Sequence, residues 1–310
     1  MPTAPLVSVL VAVRDGEPFT RTALLSVLRQ TVADLELIVV DDCSTDETPA
    51  TLRAFDDPRV RVLRNEEQLG LAGSLNRALD EACGRYVARI DADDAAFPEW
   101  LERCLRLLDS DVGLALVGSG VLDIDHDGIP GEVHLHDAGR AAMRWRALFS
   151  APVFHFTVVL KREVLEANAL RYDTSYGESE DYELWARLLD VADGDCVEAP
   201  LVLHRLHARQ ASRRREELQR SLAEEVSRRQ IAALARDLGA REATLARAVW
   251  LGADIAAPDV ADAAAAFVEL ERRFRAEQPY DDGELRVVRE SAARALARLA
   301  TTADPGVLRE

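Results

Sequence analysis

Short apolar runs alternate with helix-like stretches over the first ninety residues of the chain. The runs are rich in valine and too short for buried helices, so they predict strands covered on both faces. They cover residues 6–13, 35–40, 60–63 and 86–90. The helical pattern covers residues 19–30 and 70–82, and Ser44-Thr45-Asp46-Glu47 has the spacing of a capping box that opens a third helix. Strands and helices that alternate at this spacing indicate an α/β fold with a mostly parallel sheet and right-handed crossovers.

The pattern changes beyond residue 110. Residues 111–212 mix short predicted strands with helices, one of which covers residues 178–189. Residues 213–310 are rich in Ala, Arg, Glu and Leu, have no convincing strand pattern, and predict several helices. We therefore expect an α/β domain with helices on both faces of its sheet, followed by an all-helical C-terminal region.

The charge, cysteine spacing and hydropathy of the chain exclude several classes of protein. The chain of 310 residues carries a formal net charge of −17, which repels phosphates, so no nucleic-acid partner is expected. The four cysteines have no CxxC spacing, so neither a disulfide framework nor a zinc site is predicted. No apolar stretch approaches the length of a transmembrane segment. The expected location is cytoplasmic, with peripheral association at the inner membrane face as the alternative.

Charged side chains follow the predicted strands where each strand ends. Asp91, Asp93 and Asp94 follow the fourth strand, Asp42 follows the second, and Arg14 follows the first. Ligands of parallel sheets bind at the carboxyl ends of the strands. Three carboxylates within four residues repel one another unless a cation lies among them, and Mg²⁺ or Mn²⁺ prefers such oxygen ligands. The sequence therefore predicts a divalent-metal site at this edge; the alternative is a solvated acidic loop.

A second carboxylate pair lies in the predicted helix 178–189. Asp181 precedes the apolar Leu184 and Trp185 by three and four residues, which places it on their inward-facing side. The helix dipole favours the ionised form of a carboxylate in the first turn, as a general base requires. Glu180 is expected to point to solvent or to orient the loop. The alternative is that these carboxylates only cap the helix.

Several ordered segments resemble family 2 glycosyltransferases. The segments VSVLVAVRDGEPF, LRQTVADLELIVVDDCSTDET and RYVARIDADD occur in this order, with Asn65, Gly70 and Asn76 between the last two. The segments HFTVVLKREVLE, ESEDYELWARLL and HRLHARQAS extend the resemblance to about residues 6–212. It implies a GT-A, Rossmann-like fold, with residues 1–110 as the nucleotide-sugar-binding half, residues 111–212 as the acceptor-binding half, and residues 213–310 as a helical appendage.

The resemblance also implies roles for donor-side residues. The family uses nucleotide-activated sugars and a divalent metal, here Mn²⁺ or Mg²⁺, and inverts the anomeric carbon. Ala12 and Arg14 lie where members line the base and ribose pocket, and Asp42 lies where a carboxylate accepts a hydrogen bond from the base. Asp93 lies at the metal-binding carboxylate. Asp91 is expected to reach the ribose or a metal-bound water.

The resemblance also implies roles for residues on the acceptor side and for two histidines in the second half of the matched region. Asp181 lies at the position of the general base that takes the acceptor's proton, and Glu180 is the less favoured candidate. His207 lies where some members of the fold place a further metal ligand. His155 is a candidate for the acceptor side. For both histidines a structural role is the alternative.

The resulting hypothesis is an inverting glycosyltransferase. It moves a sugar from a nucleotide-sugar donor, UDP- or dTDP-linked, to a glycan or other hydroxyl acceptor in bacterial polysaccharide or glycoconjugate synthesis. A sugar-nucleotide pyrophosphorylase is the alternative; that class needs a glycine- and arginine-rich loop after the first strand and a nearby lysine, and the loop here, residues 14–17, has no lysine. A catalytically silent nucleotide-sugar-binding scaffold is another. The C-terminal helices are expected to form a homodimer.

Overall fold

A computed structural model of the chain describes residues 4–207 and 216–302. Its strands are β1 (Val7–Val13), β2 (Leu35–Asp41), β3 (Val60–Arg64), β4 (Tyr86–Arg89), β5 (Ala95–Ala96), β6 (Leu114–Ile124), β7 (Pro130–His134), β8 (Val159–Lys161) and β9 (Asp193–Arg205). Its α-helices are α1 (Thr20–Leu28), α2 (Thr48–Arg53), α3 (Gly70–Glu81), α4 (Trp100–Ser110), α5 (Arg140–Arg146), α6 (Arg162–Ala167), α7 (Glu180–Leu189), α8 (Glu216–Leu234), α9 (Ala240–Leu251), α10 (Val260–Glu277) and α11 (Asp282–Thr302).

The strands form one mixed sheet in the order β3-β2-β1-β4-β8-β6-β9-β5, with β7 also paired to β6. β1 is parallel to β2 and β4, β2 is parallel to β3, and β6 is parallel to β9. β8 runs antiparallel to β4 and β6 and joins the two parallel parts. The predicted α/β class is confirmed. The predicted mostly parallel pairing holds for β1 to β4 and for β6 with β9, whereas β5, β7 and β8 pair antiparallel.

Parallel register brings the ends of β1, β2 and β4 to one edge of the sheet. Val13 pairs with Asp41, and the Asp42 N–H continues the ladder by donating to the Val13 carbonyl over 2.8 Å. The Ile90 N–H donates to the Leu10 carbonyl, so Asp91 follows at the same edge. Valine and leucine fill these strands because helices cover both faces of the sheet.

The predicted capping box at Ser44 is wrong. The α2 helix begins at Thr48, and the Thr48 N–H donates to Asp46 Oδ1 over 2.8 Å. The Ser44 hydroxyl instead accepts the Asp15 N–H over 3.0 Å, and Asp15 Oδ1 accepts the Thr45 N–H over 2.7 Å. The sequence Ser44 to Glu47 fits a capping box, but the loop that follows β1 forms hydrogen bonds with the same residues and prevents that pattern.

The contacts divide the chain into two units, residues 1–138 with 153–216 and residues 139–152 with 217–310. The second unit has its own core, in which Trp145 and Phe149 pack edge-on and Trp145 contacts Phe267 and Phe274. Residues 139–152 therefore belong with the helices, although the sequence analysis placed them in the 111–212 segment. The predicted boundary at residue 110 stays a prediction. Within the described ranges, no helix is long and apolar enough to cross a membrane.

Candidate active site

The acidic turn after β4 gathers three carboxylates. Asp91, Asp93 and Asp94 each offer an oxygen within 4.8 Å of the others. Asp94 is 2% exposed, and its Oδ1 accepts the Arg205 N–H over 2.8 Å. Its Oδ2 is buried without a hydrogen-bond partner among residues 4–207 and 216–302. Burial raises the pKa of Asp94 well above its usual value, and the charges of Asp91 and Asp93 raise it further. A buried, unpaired oxygen beside two carboxylates has the chemistry of a cation ligand.

His207 lies beside this turn, as the sequence analysis anticipated. Its Nε2 is 2.9 Å from Asp93 Oδ2, and its ring centroid is 5.1 Å from that of Phe19. Arg205 supports the same loop: its Nε donates to the Asp93 carbonyl over 3.0 Å, and its guanidinium carbon lies 4.6 Å from the Phe19 ring centroid. The structure thus brings the two proposed metal ligands together. Their metal role itself stays a prediction.

Arg89 is a site residue that the sequence analysis missed. It is 3% exposed, and its two terminal nitrogens donate to the two oxygens of Asp91 over 3.0 and 2.6 Å. Burial lowers the pKa of Arg89, but the charges of Asp91, Glu180 and Asp181, among others, raise it above its usual value. The available signal was a charged residue inside an apolar strand, two positions before Asp91 and therefore on the same face.

A second group of polar side chains surrounds His155. Its Nε2 lies 2.9 Å from the Tyr172 hydroxyl, and its Nδ1 lies 3.8 Å from Glu180 Oε1. Burial and the charge of Arg89 lower the pKa of His155 well below its usual value, so its ring is neutral at physiological pH. Asn76 of α3 holds this group by donating to the Tyr172 carbonyl over 2.8 Å and accepting the Tyr172 N–H over 2.9 Å.

The expectation that Glu180 points to solvent is wrong. Glu180 is 5% exposed, and burial together with the charge of Asp181 raises its pKa to about 8. The first turn of α7 faces inward because Tyr182, Leu184 and Trp185 anchor the helix in the core. The apolar face of the helix therefore carries its acidic first turn into the protein.

The pKa of Asp181 is raised, whereas the sequence analysis expected its ionised form to be favoured. Burial raises the pKa of Asp181, and the Tyr182 N–H, which donates to Oδ1 over 2.7 Å, and Arg89 offset only part of that rise. The dipole of α7 was expected to favour the ionised form, but desolvation dominates. A carboxylate with a raised pKa holds a proton more readily, which suits a group that accepts one during a reaction.

On the other side of the edge, Asp42 organises the turn that opens α3. It is 5% exposed; Oδ1 accepts Asn65 Nδ2 over 2.6 Å and the Leu69 N–H over 2.8 Å, and Oδ2 accepts the Gly70 N–H over 3.0 Å. Gly70 has φ +71°, a left-handed conformation that glycine adopts readily because it has no Cβ atom. Ala12, half-buried in β1, and the exposed Arg14 lie at the same edge.

Comparison with known proteins identifies the family. The model of "Glycosyl transferase family 2" matches residues 8–167. The chain belongs to glycosyl transferase family 2. This glycosyltransferase is 31% identical over 226 residues to a protein of Haemophilus influenzae named "Uncharacterized glycosyltransferase", covering 68% of this chain and 69% of the relative. It is 31% identical over 184 residues to the Escherichia coli UDP-Glc:alpha-D-GlcNAc-diphosphoundecaprenol beta-1,3-glucosyltransferase WfgD, covering 59% and 70%.

Solved structures show the same fold. Staphylococcus aureus TarS in complex with UDP-GlcNAc aligns with a TM-score of 0.60 at 16% identity, covering 96% of this glycosyltransferase and 90% of TarS. The mannosyltransferase PcManGT of Pyrobaculum calidifontis in complex with GDP-Man and Mn²⁺ aligns with a TM-score of 0.58 at 21% identity, covering 97% and 84%. The predicted GT-A fold with a helical C-terminal region is therefore confirmed. Family membership also favours a glycosyltransferase over the pyrophosphorylase alternative.

Proposed function

We propose that this glycosyltransferase transfers a sugar from a UDP- or dTDP-sugar to a hydroxyl acceptor with inversion, in bacterial polysaccharide or glycoconjugate synthesis. The observation that carries the proposal is the acidic turn at the carboxyl edge of the sheet, joined through buried Arg89 to the neighbourhood of Asp181. WfgD is named for a UDP-Glc donor and TarS was solved with UDP-GlcNAc, which supports a uridine nucleotide.

The acidic turn fits Mn²⁺ or Mg²⁺. Asp93 and His207 would hold the ion, with Asp91 as a helper that also reaches the ribose or a metal-bound water. The buried Oδ2 of Asp94 adds an oxygen that needs a positive partner. A bound divalent cation supplies positive charge that stabilises the leaving diphosphate. The Mn²⁺ complex of PcManGT supports this assignment.

On the acceptor side, Asp181 takes the proton of the attacking hydroxyl. The acceptor oxygen forms a bond to the anomeric carbon as the bond from that carbon to the diphosphate breaks, and the proton moves to the Asp181 carboxylate. Arg89 opposes the effect of burial on this carboxylate, because its charge lowers the pKa of Asp181. The neutral His155 and the buried Glu180 border the acceptor.

On the donor side, Ala12 and Arg14 line the base and ribose. Asp42 accepts a hydrogen bond from the base. Its two oxygens already take three hydrogen bonds from the protein, but a carboxylate has about four acceptor sites, so one further donor can bind. The same bonds hold Asp42 in place without a ligand, which lowers the entropy lost on binding.

Hydrolysis of UDP-glucose and dTDP-glucose in the presence of Mn²⁺ tests the function without a known acceptor. We expect the wild-type protein to release nucleotide diphosphate, and Asp93→Ala to abolish that release. Asp127→Ala, which changes an exposed carboxylate in the turn between β6 and β7, is the matched control and should behave as wild type. Unchanged release by Asp93→Ala rejects the metal role, and binding of the nucleotide sugar without hydrolysis in the wild type favours the silent scaffold.

The helical unit and the location of the protein are also proposals. We infer that the C-terminal helices form a homodimer and that the enzyme acts in the cytoplasm, soluble or peripheral at the inner membrane face. A monomer mass in solution scattering that does not change with protein concentration rejects the dimer.

A further inference from the structure

Arg205, the last residue of β9, forms hydrogen bonds with two loops at the carboxyl edge of the sheet. It is 7% exposed. Its Nε donates to the Asp93 carbonyl in the acidic turn over 3.0 Å, and its Nη1 donates to the Asp125 and His126 carbonyls over 3.1 Å each. Asp125 and His126 lie in the turn between β6 and β7. Because a guanidinium is planar and rigid, these bonds fix the main chain of the acidic turn relative to the β6–β7 turn.

Phe19, directly before α1, adds a third loop to this arrangement. The guanidinium carbon of Arg205 lies 4.6 Å from the centroid of the Phe19 ring, within the range of a cation–π contact. The rings of His126 and His207 lie 5.2 and 5.1 Å from the same ring. The Phe19 ring therefore supports the guanidinium and also contacts His207, one of the two proposed metal ligands.

The two proposed ligands already have the spacing of neighbours around one ion. Asp93 Oδ2 lies 2.9 Å from His207 Nε2, although the two residues are 114 positions apart in the chain. Neighbouring ligands of an octahedral ion with bonds of about 2.1 Å lie roughly 3.0 Å apart. Only a tertiary contact can bring the two loops to this separation. Arg205 supplies one, because it lies two residues before His207 and binds the carbonyl of Asp93 itself.

We propose that Arg205 is a positioning residue for the divalent ion, with Phe19 as the support of its guanidinium. The inference rests on the proposed function, because it takes Asp93 and His207 as ligands. The charge of Arg205 cannot itself attract a cation, since like charges repel. Its contribution is therefore the position of the main chain at Asp93. Lysine keeps the charge but lacks the planar fork, so Arg205→Lys separates position from charge.

Electron paramagnetic resonance of free Mn²⁺ measures binding by the full chain in the presence of UDP, with UDP and Mn²⁺ alone as the blank. We expect Arg205→Lys to weaken Mn²⁺ binding about tenfold to a hundredfold, the range for residues that orient metal ligands. Phe19→Leu should weaken it about twofold to fivefold, the range of one cation–π contact, and Phe19→Tyr should restore wild-type affinity. Arg162→Lys is the matched control, because the Arg162 guanidinium also donates to a main-chain carbonyl, that of Gly84 at the opposite end of β4.

A second measurement separates positioning from a general loss of structure. In the His207→Ala background the three carboxylates of the acidic turn remain, but the separation between Asp93 and His207 no longer matters. Arg205→Lys should therefore weaken Mn²⁺ binding much less in that background than in the wild type. Urea unfolding in EDTA identifies any variant that does not fold. If Arg205→Lys does not fold, the same comparison is made with Phe19→Leu.

Wild-type Mn²⁺ affinity in Arg205→Lys overturns the proposal, as does equal weakening with and without the His207 side chain. Failure of the proposed function has a different signature. In that case the wild-type protein binds no Mn²⁺, or Asp93→Ala binds it as tightly as the wild type does. A protein that binds Mn²⁺ through Asp93 but is unaffected by Arg205→Lys rejects only the role of Arg205.

Discussion

The guanidinium of Arg89 forms a two-pronged hydrogen bond with the carboxylate of Asp91, with N–O distances of 2.6 and 3.0 Å. Arg89 is almost fully buried, whereas the Asp91 side chain is 32% exposed. The pair therefore places a fixed positive charge beneath the acidic turn and leaves one edge of its carboxylate turned toward solvent. The charges of Glu180 and Asp181 also act on Arg89, so this buried cation interacts electrostatically with the acidic turn and with the first turn of α7.

Replacement of Arg89 should therefore impair both stability and activity. We expect Arg89→Met to lower the free energy of unfolding by about 1–3 kcal/mol, below the value for a fully buried pair because Asp91 is partly exposed. Arg89→Lys should restore little, because lysine cannot supply two parallel donors. Urea unfolding and UDP-glucose hydrolysis measure the two effects. The control is Arg61→Met, which removes an exposed ion pair to Glu81 and should cost at most about 1 kcal/mol. Equal costs for the two Met variants contradict the prediction.

The acidic turn should respond to metal. Asp94→Asn removes a buried charge that Asp91 and Asp93 disfavour, so the variant should be more stable than wild type in EDTA. Mn²⁺ at a hundred times its dissociation constant should stabilise the wild type by about 2.7 kcal/mol and the variant by less. Urea unfolding with EDTA or Mn²⁺ gives both quantities. Asp127→Asn, in an exposed turn, should match wild type; an undiminished Mn²⁺ effect in Asp94→Asn would exclude Asp94 from the site.

Loss of the candidate base should slow turnover rather than weaken donor binding. Asp181→Asn removes the proton acceptor with little change of shape, so turnover should fall roughly 10²- to 10⁴-fold. The KM for the donor should change little, because Asp181 acts on the acceptor side. Transfer kinetics measure both, and Asp190→Asn at the exposed end of the same helix is the control. If Asp181→Asn keeps wild-type turnover, its role is limited to the structure of the helix.

The buried Glu180 should make stability depend on pH. Its pKa rises from 4.5 to about 8 in the folded protein, so the folded state binds the proton more tightly than the unfolded state. The stability that this protonated group contributes is complete below about pH 4.5 and is lost as the pH rises toward 8.

Glu180→Gln mimics the protonated form and tests this dependence. The variant should match wild type near pH 5 and exceed it by about 1–3 kcal/mol near pH 9, as measured by urea unfolding. Glu102→Gln, in an exposed ion pair with Arg106, should show no such gain. A Glu180→Gln difference that does not change with pH contradicts the raised pKa.

The sequence predicted the N-terminal half of the fold because its signals are local. Valine-rich runs and helical periodicity identify β1 to β4 with α1 and α3 without reference to distant residues. The capping box at Ser44 failed because its hydroxyl is taken by Asp15, 29 residues earlier. Strand pairing in the second half also depends on distant partners: β7, β8 and β9 all join β6, and no local pattern specifies that order.

For the site, the sequence by itself determined the family, the acidic turn and the candidate base. The reason is that motif spacing and the ends of strands are local features, which the order of residues specifies. Only the tertiary structure decided the environments. It buried Glu180, raised the pKa of Asp181, and placed Arg89 beneath Asp91. Burial and charge at one point depend on every element packed around it, and those elements are far apart in sequence. The acidic turn can thus be predicted from sequence, whereas the pairing of Arg89 with Asp91 is seen only in the folded chain.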